Sequence, residues 1–213
     1  MGQVFRVDQD DPNAEVVNQA ASVLRRGGIV LFPTDTVYGL GALAAKDSCY
    51  GAQELFEIKN RPTGIPVPLL LAKPSELYVY GREIKPYAKK LADTFWPGPL
   101  TIVVQASDRV LTEFRNAADD SVGLRCPDSE LVRQLVTAAG GPIFASSANT
   151  HGLPAPDTFD AIEERIKAPA TLILDGGATK GGTSSTVVVC TGDAPVVVRP
   201  GEITQEDIDR AIA

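Results

Sequence analysis

Histidine is almost missing from this chain: His151 is the single one among 213 residues. Any Ser-His or Cys-His catalytic machine would have to be built on that imidazole, and its place between Thr150 and Gly152 reads as a solvated loop. Cysteine is scarce too. Cys49, Cys126 and Cys190 are odd in number, far apart and in no Cys-x-x-Cys pair, which fits a reducing cytosol better than a disulfide framework and makes zinc a poor fit. Long apolar runs are lacking, and the opening "MGQVFRVDQDD" has no signal-like apolar core, so a cytoplasmic protein without membrane contact is expected. Positive charge is in deficit, with 20 Lys and Arg against 27 Asp and Glu and a formal net charge of −7. Such a surface repels polyphosphate on average and argues against sequence-independent tracking along nucleic acid, while leaving room for a local basic pocket. Standard devices are missing as well. No Gly-x-Ser-x-Gly elbow occurs, "GGATKGGTSST" lacks the Walker glycine spacing before Lys180, and "YGLGALA" lacks the third glycine of a dinucleotide fingerprint.

What the chain does have is 44% hydrophobic residues, enough for one sizeable α/β core, and one domain is expected. In "DPNAEVVNQAASVLRRGG" the residues Val16, Val17, Ala20, Ala21 and Leu24 recur at helical spacing, with Asp11 as the expected N-cap, Pro12 at the first helical position and Gly27 as the stop. "GIVLF" follows as a buried strand. "SCYGAQELFEIK" and "SELVRQLVTAAG" read as helices, and "VPLLLA", "LTIVVQ", "SVGLR", "PIFAS", "TLILD", "STVVVC" and "PVVVR" as strands. Most of the 19 glycines and 16 prolines fall between these segments, none of which is long or biased enough for an inter-domain linker.

Polar clusters follow the apolar strands, where open α/β sheets commonly put ligands. After "GIVLF", the loop "PTDTVYGLGALA" offers the hydroxyls of Thr34, Thr36 and Tyr38, the Asp35 carboxylate, and glycines 39 and 41. It is either a ligand loop or a capped turn in which Thr34 and Asp35 bond backbone amides. In "KNRP", Lys59 and Arg61 form either an anion-binding pair on one face of an extended segment or two solvated charges at a helix end. Arg125, ending "SVGLR", either leaves the sheet for water or meets an anion, because burying it unpaired costs several kcal/mol. Ser146, Ser147 and Asn149 in "IFASSANTHGLPAP" are a pocket wall or a capped turn. Ser185 in "TSST" and Arg199 in "VVVRPGEIT" close the series.

The order of the blocks is more specific than any one of them. "FPTDTVYGLGALA", "KNRP" with "PVPLLLA", "FWPGPLTIVV", "VGLRCPD", "ASSAN" with "GLPAP", "SSTVV" and "VRPG" together resemble the threonylcarbamoyl-AMP synthase family, the YrdC-like domain, over nearly the whole chain. The resemblance implies a single YrdC-like domain over residues 1–213, a twisted mixed β-sheet flanked by helices. It implies an enzyme that joins L-threonine, bicarbonate-derived CO2 and ATP into threonylcarbamoyl-adenylate and pyrophosphate, with Mg²⁺ accompanying ATP. The product would serve adenosine modification in tRNA, with tRNA or downstream tRNA-modification proteins as partners. Carried onto this sequence, Lys59 and Arg61 would face the nucleotide phosphates as the catalytic cations. Thr34, Tyr38, Arg125, Ala145 and Ser185 would hold threonine, and Ser121, Ser147, Asn149 and Arg199 would hold the nucleotide. Ile65, His151 and Val189 depart from the family pattern at the edges of its motifs. Two alternatives from the same core are a non-catalytic RNA-binding module and a carbamoyl-adenylate-forming domain of hydrogenase maturation.

Overall fold

The computed structural model describes residues 2–45, 54, 55, 58 and 67–213. Among these, eleven strands form one mixed sheet. They are β1 (Gln3–Arg6), β2 (Val30–Pro33), β3 (Tyr38–Leu43), β4 (Leu69–Leu70), β5 (Gly81–Arg82), β6 (Leu100–Ala106), β7 (Ser121–Arg125), β8 (Ile143–Ser147), β9 (Leu172–Asp175), β10 (Thr186–Val189) and β11 (Val196–Arg199). Across the sheet the order is β1, β9, β2, β3, β8, β4, β7, β6, β10, β11, with β5 beside β6. Parallel and antiparallel neighbours alternate through the middle: β4 runs parallel to β7, β7 antiparallel to β6, and β6 parallel to β10.

The two faces are covered differently. Against one, helices Pro86–Phe95 and Gln205–Ile212 press Ala88, Leu91, Ala92 and Ile208 onto Leu100, Ile102, Val104, Leu124 and Val188. Against the other, helices Ala14–Arg25 and Glu130–Ala139 press Ala20, Leu24, Leu131 and Leu135 onto Val30, Phe32, Ile143 and Leu172. Each fully buried Leu, Ile, Val or Phe among these contributes about 1.5–3 kcal/mol of transfer free energy, and each alanine less. The second layer spans only the β2, β3, β8 and β9 half of its face. Leu70 and Ala145 mark its border, since both touch that layer and also line an open cavity over β6, β7 and β10.

The helices start and stop where local chemistry permits. Ser129 Oγ accepts from Val132 N, and Gly140 closes helix Glu130–Ala139 in the left-handed conformation at φ 83°. The cap of the first helix is Asn13 rather than the expected Asp11: Asn13 Oδ1 accepts from Glu15 N at 2.8 Å and Val16 N at 3.4 Å. The amides of Asp10 and Asp11 are instead drawn to Asp8 Oδ1, which holds that stretch in a turn before the helix. Gly27, at φ 80°, follows the last turn as expected.

Two sequence expectations change. "YGLGALA", read as part of a loop, is mostly strand β3, because β2 and β8 on either side supply its backbone partners; only Thr34–Val37 is a turn. "VPLLLA" contributes just Leu69–Leu70 as strand, Pro68 having no N–H to add to a ladder. The helix expected over residues 48–59 lies largely outside the described residues. No helix among the described residues is long and apolar enough to cross a membrane.

Candidate functional site

The cavity, about 120 Å³, is built by alternation. On β6, Leu100, Ile102 and Val104 point into the core while Thr101 and Val103 point to the cavity; on β7, Val122 and Leu124 point in while Gly123 and Arg125 point out. A Cβ at Gly123 would stand 3.4 Å from Thr101 and 3.6 Å from Pro68, so the glycine leaves cavity floor rather than relieving a clash. The β2–β3 turn, the end of β8, Ser184 and Ser185 before β10, and Arg199 at the end of β11 complete the walls. A register irregularity between Val187 and Val188 sets Arg199 opposite Val187, and both face the cavity.

Arg125 is 5% exposed and is not a loose cation. Its Nε donates to Gly98 O at 3.1 Å, Nη1 to Thr36 Oγ1 at 3.0 Å, and Nη2 to Asp35 Oδ1 at 2.6 Å. Asp35 Oδ2 accepts from Asp128 N at 3.1 Å, so the carboxylate ties the arginine to the chain just beyond β7. These three bonds leave one N–H on each terminal nitrogen unused.

The hydroxyls of the turn have a direction. Thr34 Oγ1 donates its one proton to Val37 O at 2.7 Å. The 2.9 Å contact between Thr34 and Thr36 hydroxyls is therefore donated by Thr36, which in turn accepts from Arg125. Thr34 also accepts from the amides of Thr36 and Val37. It serves the cavity as shaped wall, its own donor being spent.

The other residues singled out in the sequence fall as follows. Tyr38 lines the cavity, but its hydroxyl donates to Gly177 O at 2.8 Å and accepts from Gly176 N at 3.1 Å. Burial pushes that phenol up to about 12 against the opposing pull of the Gly176 amide. Ala145, Ser147, Ser185 and Arg199 all line the cavity. Ser147 Oγ donates to Asn149 Oδ1 at 2.6 Å, and Asn149 turns toward a neighbouring depression with Leu153 and Pro156. Ser121 sits at the far end of β7 from Arg125, outside the cavity lining, with its hydroxyl donating to Asp119 at 2.6 Å. Lys59, Arg61 and Ile65 lie outside the described residues. His151 is exposed, and Val189 pairs with Val196 at the sheet edge. Cys126 follows Arg125 directly, yet burial pushes its thiol up to about 12, so it carries no thiolate at neutral pH.

Thr101 was not singled out in the sequence, and Thr36 and Asp35 were named there only as members of a ligand loop or capped turn, without a role of their own. Thr101 had a legible signal, a lone hydroxyl at a cavity-side position of an otherwise apolar strand. The pairing of Asp35 with Arg125 had none, because the two lie 90 positions apart in the chain.

A mixed α/β sheet with one half-uncovered face carries a small cavity bordered by two arginines and a row of hydroxyls, the geometry of a small-molecule site suited to anionic groups. The chain belongs to the Sua5/YciO/YrdC family, described as "Telomere recombination", whose family model matches residues 22–201. It is 38% identical over 91% of its length to a threonylcarbamoyl-AMP synthase of Pyrococcus abyssi, and 37% identical over 96% to one of Bacillus subtilis. It spans 56% and 59% of those proteins. The structure of P. abyssi Sua5 complexed with L-threonine superimposes with a TM-score of 0.90 at 36% identity, over 98% of this chain and 60% of that one.

Proposed function

We propose that this protein makes threonylcarbamoyl-AMP. L-Threonine, carboxylated on its amine by CO2 from bicarbonate, presents a carbamate oxygen that attacks the α-phosphorus of ATP. The bond to the β-phosphate breaks and pyrophosphate leaves. The observation that carries this reading is Arg125: a guanidinium buried in the cavity wall, with one N–H on each terminal nitrogen not used by the fold, suits a carboxylate, and the P. abyssi relative is a complex with L-threonine.

In this reading threonine occupies the cavity between Thr34, the backbone of Tyr38, Ala145 and Ser185, with its carboxylate on Arg125. The nucleotide lies over Ser147, Asn149 and Arg199, with its phosphates assigned to Lys59 and Arg61; Ser121, buried at the far end of β7 with its hydroxyl bonded to Asp119, is not part of that site. Mg²⁺ would accompany the triphosphate and be held chiefly by its oxygens. The chain's own contribution is positioning and electrostatic stabilisation by cations around three mutually repelling anions. Residues 1–213 are read as one such domain, working in the cytoplasm to supply tRNA adenosine modification.

The test is a single incubation with ATP, L-threonine and bicarbonate, read by mass spectrometry for the adenylate and by pyrophosphate release. Both products should require both threonine and bicarbonate. Equal pyrophosphate release without threonine would contradict the reading.

A further inference from the structure

Asp35 presents a charge problem. Its carboxylate sits beside the very guanidinium assigned to a substrate carboxylate, with side-chain exposures of 8% for Asp35 and 6% for Arg125. On Coulomb's law alone a buried aspartate there repels an incoming carboxylate and weakens its binding. The geometry gives it a different role. Asp35 uses one oxygen on Arg125 Nη2 and the other on Asp128 N, while Thr36 takes Nη1 and Gly98 O takes Nε. Each guanidinium nitrogen is thus anchored once, which fixes the plane of the fork, and each terminal nitrogen keeps one donor. Arginine's long side chain carries considerable rotamer entropy, and holding it before the ligand arrives removes that cost from binding.

We infer that Asp35 is a positioning residue for substrate recognition: it holds Arg125 so that its two remaining N–H groups meet the carboxylate of an α-amino acid. This rests on the reading of the cavity as the threonine site. The two effects of Asp35 have opposite signs, so the direction of a variant's effect decides between them. Were Asp35 acting through its charge alone, neutralising it would tighten threonine binding. Were it holding the fork, neutralising it loosens threonine and leaves ATP alone.

Asp35→Asn tests this with little change of shape. The amide can keep an acceptor on Arg125, but then turns its NH2 toward the Asp128 amide, where donor meets donor. Calorimetry with L-threonine and separately with ATP, on wild type and on Asp35→Asn, gives the answer, and steady-state kinetics give the split between KM and kcat. Expected are a fall in threonine affinity of at least about tenfold, a matching rise in its KM, a kcat within about threefold, and ATP affinity within about twofold. Asp35→Glu, which restores the charge one methylene further out, should recover part of the loss. Unchanged or tighter threonine binding overturns the proposal, as does an equal loss for threonine and ATP, which marks a general collapse of the site. Absence of threonine binding in the wild type would instead overturn the threonine reading itself, before any variant is compared.

Discussion

Arg199 grips Ser185 at two points: Nε and Nη2 donate to the Ser185 carbonyl at 3.0 and 2.9 Å, and Nη2 donates to its hydroxyl at 2.9 Å. The same hydroxyl lies 2.9 Å from Thr101 Oγ1, so one serine links β6 with the start of β10 and the end of β11. Ser185→Ala keeps the carbonyl contacts and therefore keeps Arg199 in place. It should weaken threonine by roughly 0.5–1.5 kcal/mol, about two- to tenfold, with ATP unchanged. Arg199→Ala should show the reverse order, with the larger loss for ATP. Calorimetry with each ligand checks both, and a larger effect of Ser185→Ala on ATP would reassign the serine.

Arg125 separates an enzyme from an RNA-binding module. Arg125→Ala removes a charge-assisted contact of roughly 1.5–3 kcal/mol and strands Asp35, so threonine affinity should fall at least about tenfold and ATP affinity much less. An arginine that bound RNA phosphate would, when removed, weaken RNA across all sequences and lower the salt slope by about one unit. Titrations of wild type and variant with threonine, ATP and a tRNA anticodon stem at several salt concentrations distinguish the two patterns. Unchanged threonine affinity in the variant removes Arg125 from its assigned place.

Thr34 should be a stability position first. Its Oγ1 gathers a carbonyl, two amides and the Thr36 hydroxyl within a turn where it is 5% exposed. Thr34→Ala strands these groups at a cost of about 1–3 kcal/mol, which lowers the melting temperature by about 2–4 °C per kcal/mol in a chain of this size. Thr34→Ser keeps the oxygen and should melt within about 2 °C of wild type on the same scale. A thermal scan in which both variants behave alike would show that the methyl, and not the hydroxyl, sustains the turn.

Alkaline stability should report Tyr38. Its phenol titrates near 10.0 in the unfolded chain and is pushed up to about 12 in the fold, chiefly by burial. The unfolded state therefore loses its proton first as pH rises. The contribution of Tyr38 is fully present below pH 10.0 and is lost progressively up to about 12. Urea unfolding of wild type at pH 8, 9, 10 and 11 should show stability falling across the last steps. Tyr38→Phe, less stable at pH 8 for want of the Gly177 hydrogen bond, should fall less steeply. Parallel curves for the two proteins would place the alkaline transition elsewhere, the Cys126 and Cys190 thiols and the Tyr87 phenol being shifted in the same direction.

What the sequence by itself determined is what short stretches of chain decide. The apolar runs "LTIVVQ" and "SVGLR" marked strands β6 and β7, and "SELVRQLVTAAG" marked the helix after β7, because such patterns are a property of neighbours in sequence. The ordered polar blocks likewise identified Arg125, Ala145, Ser147, Ser185 and Arg199, all of which meet in one cavity. The tertiary structure alone decided the rest. Residues 38–43, with two glycines, have little strand preference of their own and become β3 because two neighbouring strands supply partners. Asx geometry, not the proline rule, chose Asn13 over Asp11 as cap. Above all, whether Arg125 would be solvated, buried with an anion or held by the fold depended on Asp35, Thr36 and Gly98, which are 27 to 90 positions distant in the chain. Hydrogen bonds between such positions follow from how the sheet is assembled, and no local pattern encodes them.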